Sequence, residues 1–131
     1  MKSKVVTKEE ALTKFSDGQT IMFGDWHGEL SAEEIITGML EKGVKDIDAI
    51  AVSGGMPDQG LGRLISEHRV KSLITTHIGL NPVARDQMFA GELAVEFVPQ
   101  GTFAELCRRN SYSEVAASSP MNSELSTKTS E

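Results

Sequence analysis

Thr20-Ile21-Met22-Phe23-Gly24-Asp25-Trp26-His27-Gly28-Glu29-Leu30-Ser31-Ala32-Glu33-Glu34 is the stretch that decides the fold. Its first four residues are a short apolar run bounded by turn-formers, which predicts a buried strand. Its last four read as a capping box, Ser31 to Glu34, opening a helix with Leu30 and Ile35 as the hydrophobic staple. Ile35, Ile36, Met39 and Leu40 repeat at helical spacing, and Gly43 stands where a C-cap belongs. The unit is therefore strand, loop, helix.

The same unit recurs on both sides. Upstream, Thr7-Lys8-Glu9-Glu10 is a capping box for a short helix carrying Ala11, Leu12 and Phe15, and Asp17-Gly18 ends it. Downstream, Ile47 to Val52 reads as a strand, Leu61 to His68 as a helix and Ser72 to Thr76 as a strand. Asn81-Pro82 opens a helix with Asn as N-cap and Pro in the first turn. Leu93 to Val98 reads as the fourth strand, and Thr102 to Glu105 as a third capping box, for a helix to about Arg109. Strands that are apolar without alternation, each separated by a helix, predict an α/β fold: an open, mainly parallel sheet with helices on both faces. Their C-terminal ends then share one edge, where such sheets bind ligands. Four loops land there: Gly24–Glu29, Ser53–Gly60, His77–Asn81 and Pro99–Gly101.

The chain has 131 residues and a formal net charge of −6. That suits one domain and disfavours a nucleic-acid binder, which carries a basic footprint. One cysteine excludes an internal disulfide and suits a reducing compartment. No apolar run is long enough to span a bilayer and no signal peptide is evident, so a cytoplasmic protein is expected. From Asn110 to Glu131, 9 of 22 residues are Ser or Thr and the apolar ones have no period, so residues 110–131 read as a disordered tail after a domain over 1–109.

Few motifs carry chemistry unaided. Ser53-Gly54-Gly55 through Gly60-Leu61-Gly62 has no Lys-Ser/Thr after Gly60 and has Ile65 where a dinucleotide fingerprint needs glycine, so its glycines read as tight-turn formers. His27, His68 and His77 lack metal-ligand spacing, and no metal is expected. Cys107 reads as a small buried residue, and Glu9-Glu10 and Glu33-Glu34 as first-turn carboxylates favoured by the helix dipole.

Five stretches together carry a family resemblance: Asp17 to Met22, Gly60 to Ile65, His77 to Pro82, Gly91 to Glu96 and Pro99 to Glu105. In this order and spacing, from about Thr7 to Arg108, the chain resembles the N-terminal portion of the alpha subunit of family I CoA-transferases. The resemblance implies the fold shared with ribose-phosphate isomerase relatives, here incomplete, since the family continues where this chain has its Ser-rich tail. It implies a beta-subunit partner, coenzyme A as a substrate rather than a resident cofactor, and CoA exchange between an acyl-CoA and a short-chain carboxylate or 3-oxoacid. The family's nucleophilic glutamate lies in a Ser-Glu-Asn-Gly motif of the beta subunit. This chain has no such motif, so no catalytic residue is expected in it.

The family's CoA loop, Gly-Gly-Phe, three residues, then Gly-x-Pro, maps onto Gly24 to Ala32. Implied CoA-binding residues are Gly24, Asp25, Trp26, His27, Gly28, Glu29 and Leu30. Gly24, Gly28 and the aromatic Trp26 fit that pattern; Asp25 replaces the second glycine, Leu30 the third and Ala32 the proline. Trp26 either stacks on the ligand or anchors the loop. Gln100 matches a residue retained in the family, and the resemblance implies that it hydrogen-bonds a substrate carboxylate; otherwise Pro99-Gln100-Gly101 is a strand-to-helix turn with Thr102 as cap. The alternative to a transferase subunit is a non-catalytic remnant or interaction module that no longer binds CoA. A sugar-phosphate isomerase-like site is a third reading, but the edge loops hold no Lys.

Overall fold

The computed structural model describes residues 3–111. Its elements are α1 (Lys8–Leu12), β1 (Thr20–Phe23), α2 (Glu33–Lys42), β2 (Ile47–Ala51), α3 (Leu61–Ser66), β3 (Val70–Thr75), α4 (Pro82–Phe89), β4 (Ala94–Phe97) and α5 (Gln100–Ser111). The strands form one sheet in the order β1-β2-β3-β4, every pair parallel. The expected α/β architecture is therefore present, and all strand C-terminal ends share one edge.

The two faces are covered unequally. Ile36 and Met39 of α2, Leu61, Leu64 and Ile65 of α3, and Ala84 of α4 pack with Ile47, Ala49, Ala51 and Leu73 in one core. On the opposite face, among the described residues, only α5 lies down, bringing Phe103 and Leu106 onto Ile50, Ile74 and Val98. A sheet whose strand order follows the chain order sends successive right-handed crossovers to the same side, and this puts α2, α3 and α4 together. The central strands β2 and β3 are largely buried; among the described residues β1 and β4 pair on one side only and stay half-open.

Local signals explain most boundaries. The Thr7 side chain accepts from the Glu10 amide and the Glu10 carboxylate accepts from the Thr7 amide, each at 3.2 Å. Gly43 closes α2 with φ 81°. Asn81 caps α4, accepting from the Ala84 amide at 3.0 Å.

Two expected capping boxes are absent. The N-cap of α2 is Ala32, with no side-chain cap; Ser31 turns to Glu33, and Glu34 pairs with Lys8 at 3.1 Å. The Leu30–Ile35 staple does not form, because Leu30 points to solvent, 93% exposed. Helix α5 begins at Gln100, two residues before Thr102, and its first turn closes from the Phe103 amide to the Pro99 carbonyl at 2.8 Å. It continues to Ser111, past the expected end near Arg109. The remaining tail, 112–131, lies outside the described residues.

The most crowded of the described glycines is Gly62. A Cβ there would collide with the Met56 carbonyl. Gly62→Ala is expected to cost about 3 kcal/mol or more, the upper range for overpacking. Urea unfolding checks this; a loss below about 1 kcal/mol would show that the Met56 turn moves aside easily.

Candidate functional site

The loop after β1 is built around a two-residue reversal. Trp26 and Glu29 exchange backbone hydrogen bonds, each 2.9 Å, and between them His27 and Gly28 have φ 54° and 95°. Those values match a type I′ turn, which needs positive φ at both central positions. A second reversal, Met56 to Gln59, follows β2. The two pack together closely: a Cβ on Gly28 would come within 2.8 Å of Gln59 Cβ.

Glu33, in the first turn of α2, fastens this arrangement. Its Oε1 accepts from the Gly60 amide at 2.6 Å, its Oε2 from Arg63 at 2.6 Å, and Ser31 Oγ lies 2.7 Å from Oε1. Arg63 also donates to Thr37 at 3.0 Å. Burial opposes the Glu33 charge, but the Ser31, Arg63 and Gly60 contacts outweigh it and hold the carboxyl below its usual range.

Asp25 is the opposite case. Both of its carboxylate oxygens are buried, and neither makes a hydrogen bond of good geometry. Burial pushes its pKa up; the Gly28 amide and the His27 ring pull the other way, and Glu33 adds a like charge. The carboxyl borders a cavity of about 120 Å³ between β1 and α2.

Two histidines meet at the same edge. The rings of His27 and His77 stand 5.0 Å apart, edge to face, and Trp26 lies 4.6 Å from His27. Thr76 Oγ1 gives its one proton to the Val52 carbonyl at 2.6 Å, so His77 Nδ1, 2.9 Å away, is the donor to that oxygen. The neutral His77 ring then carries its proton on Nδ1 and leaves Nε2 as an acceptor. His68 is elsewhere, 3.5 Å from Glu92. Among the described residues no cluster of three His, Cys, Asp or Glu could hold a metal ion.

Of the sequence-derived candidates, Gly24 to Leu30 form one contiguous loop at the β1 end. Trp26 is 57% exposed, with its ring on the loop surface rather than buried as an anchor. Gln100 is exposed at the start of α5, beyond β4. Three strand spacings separate β1 from β4, roughly 14 Å, so Gln100 does not meet the loop directly. The glycines of the second loop are turn-formers as expected: Gly55 and Gly60 have φ 68° and 56°. Asn81, fully buried, donates to the Gly54 carbonyl at 2.9 Å and so ties the third loop to the second. Burial raises the Cys107 pKa, against a nucleophilic role. Sequence reasoning missed Glu33 and Arg63 as a pair. The Arg63 stretch was visible, but nothing local links positions 30 apart.

The family model described as Coenzyme A transferase matches residues 5–109. The chain belongs to the coenzyme A transferase family. It is 45% identical over 105 residues to the "Probable coenzyme A transferase subunit alpha" of Bacillus subtilis, covering 80% of this chain and 46% of that one. It is 41% identical over 108 residues to the acetate CoA-transferase subunit alpha of Escherichia coli, covering 82% and 49%. The acetoacetyl-CoA:acetate/butyrate CoA transferase alpha subunit of Clostridium acetobutylicum is 36% identical over 108 residues, covering 82% and 50%. The chain thus spans about half the length of these curated relatives. Among the described residues no helix is long and apolar enough to cross a membrane.

Two outcomes follow for the loop. Leu30 has φ 60°, a conformation that costs a side-chain-bearing residue about 1–2 kcal/mol and glycine little. With no packing to lose, Leu30→Gly is expected to leave stability unchanged or raise it by up to about 1 kcal/mol. A urea-midpoint loss equivalent to more than about 1 kcal/mol would contradict this.

For Asp25, burial makes the protonated form the one that the fold favours. That contribution is complete below the ordinary carboxylate value and is lost as pH rises through the raised folded-state value. Asp25→Asn is therefore expected to raise Tm at pH 7, with the gain shrinking towards pH 3. An equal Tm for both proteins at pH 7 would contradict it.

Proposed function

We propose that this chain is the alpha subunit, or the N-terminal portion of one, of a cytoplasmic CoA-transferase. It moves CoA between an acyl-CoA and a short-chain carboxylate or 3-oxoacid, together with a separate beta subunit that supplies the catalytic glutamate. The observation that carries the reading is family membership over residues 5–109. The relatives named for acetate, acetoacetyl-CoA and butyrate support the substrate class. In this reading residues 1–109 are the working domain, coenzyme A is a substrate and not a resident group, and the chemistry divides between two chains.

The beta subunit's glutamate attacks the acyl-CoA carbonyl, CoA leaves as thiolate and an anhydride forms. The thiolate then attacks the glutamyl carbonyl, releasing the first acid and leaving a glutamyl-CoA thioester. The incoming acid repeats the steps in reverse. Covalent catalysis of this kind splits one hard exchange into easier ones. This chain's share is to hold substrate. Gly24 to Leu30 form the CoA-facing loop, Trp26 offers an exposed ring to it, and Gln100 offers an amide donor to a carboxylate arriving at the β4 end. The half-open strands β1 and β4 supply edges for association with a partner.

Asp25 favours a second reading, in which the loop no longer takes CoA. A buried carboxylate beside the expected site repels an anionic ligand when ionised, and the −6 balance of the chain adds to this. Calorimetry with CoA separates the two. Micromolar binding by the alpha–beta pair supports the transferase. Binding that appears only in Asp25→Gly supports the remnant.

Co-expression with the beta subunit and a CoA-exchange assay with acetate is the direct test. Exchange is expected, and Gln100→Ala is expected to raise the acid's KM about tenfold, the equivalent of one charge-assisted hydrogen bond. No complex and no exchange, beside an active full-length relative, would overturn the enzymatic reading.

A further inference from the structure

Three rings run in series from the β1 loop to the end of β3. Trp26 and His27 stand 4.6 Å apart at an interplanar angle of 62°, and His27 and His77 5.0 Å apart at 66°. The His77 end is tied to the sheet. Its Nδ1 donates to Thr76 Oγ1 at 2.9 Å, and that hydroxyl donates to the Val52 carbonyl at 2.6 Å. The His77 carbonyl accepts from the Gly54 amide at 3.3 Å and from the buried Thr75 hydroxyl at 3.2 Å. Backbone and ring of His77 are therefore fixed at the ends of β2 and β3, the two strands paired on both sides.

The Trp26 end is held differently. Its amide and carbonyl bond to Glu29 within their own turn, and its ring is 57% exposed. Between the two, His27 Nδ1 is buried and makes no hydrogen bond of good geometry. Packing against the neighbouring rings, rather than a bond at that nitrogen, orients the His27 ring. We infer that His77 is a positioning residue: through the His27 ring it fixes the direction of the Trp26 indole, so that one face is presented before ligand arrives. An edge-to-face contact shifts a two-way side-chain equilibrium by about two- to twelvefold. For CoA the inference rests on the transferase reading and deepens it. A competent orientation that is less populated weakens apparent affinity by the same factor and leaves the step after binding untouched.

The test uses the full chain, in which Trp26 is the only tryptophan, so the fluorescence anisotropy decay reports this ring alone. His77→Asn keeps a donor for Thr76 and removes the ring; His77→Phe keeps a ring and removes the donor. The subnanosecond part of the decay is expected to grow at least about twofold in His77→Ala and His77→Asn, and to stay close to the unsubstituted protein in His77→Phe. If His77→Ala fails to fold, the Asn and Phe variants carry the comparison. With the beta subunit, the KM for CoA is expected to rise about two- to twelvefold in His77→Asn at unchanged kcat, and to be restored in His77→Phe. An unchanged decay in His77→Asn, or equal growth in His77→Phe, would overturn the inference. Greater indole motion with an unchanged KM overturns its CoA part. Absence of exchange by the unsubstituted pair sinks the transferase reading alone, since the anisotropy needs no beta subunit.

Discussion

The arrangement of the loops at the C-terminal edge of the sheet depends on one carboxylate. Glu33 takes the Gly60 amide from the second loop, Arg63 from α3 and the Ser31 hydroxyl from the end of the first loop. Without it, two glycine-bearing reversals would lie side by side with little to fix their spacing. Hydrogen bonds to a charged group contribute about 1.5–3 kcal/mol each against solvent. The partial exposure of this pair puts it at the lower end. What the cluster provides above all is geometry: the first loop is held to the second, the second to α3, and Asn81 holds the third to the second.

Asp25 and Glu33 are close enough to feel each other's charge, yet their surroundings drive them apart. Glu33 is saturated with donors and stays ionised. Asp25 has only the Gly28 amide nearby, makes no hydrogen bond of good geometry, and is pushed by burial towards its neutral form. The stabilities they confer run in opposite directions with pH: Glu33 is lost as pH falls through its lowered value, Asp25 as pH rises through its raised one. The β1 loop and the first turn of α2 thus set one well-satisfied carboxylate beside one that burial penalises.

The fold was legible because its signals are local or periodic. Thr7 with Glu10, Gly43 and Asn81-Pro82 act within one turn of chain, and the apolar strands declare themselves by composition. The two lost capping boxes show where locality fails. Ser31 and Glu33 were drawn into contacts with Gly28 and with Gly60 and Arg63, which outcompete the box. Thr102 lost its cap role because α5 starts earlier, at the end of β4. The position of the β1 loop was readable from the strand and helix signals on either side of it. The Glu33–Arg63 pair, the His27–His77 contact and the orphaned Asp25 carboxylate were not. Each depends on parallel strands bringing distant loops to one edge. The unequal covering of the two sheet faces also required the strand order, which spacing along the chain does not state.

Hydrogen–deuterium exchange on the alpha–beta pair, with and without CoA, tests the central claim most directly. If the β1 loop is the chain's CoA-facing element, amides of residues 24–31 and of the packed loop 54–60 gain protection when CoA is added, while those of α4 do not. Unchanged exchange in both loops, with protection confined to the beta subunit, would contradict it.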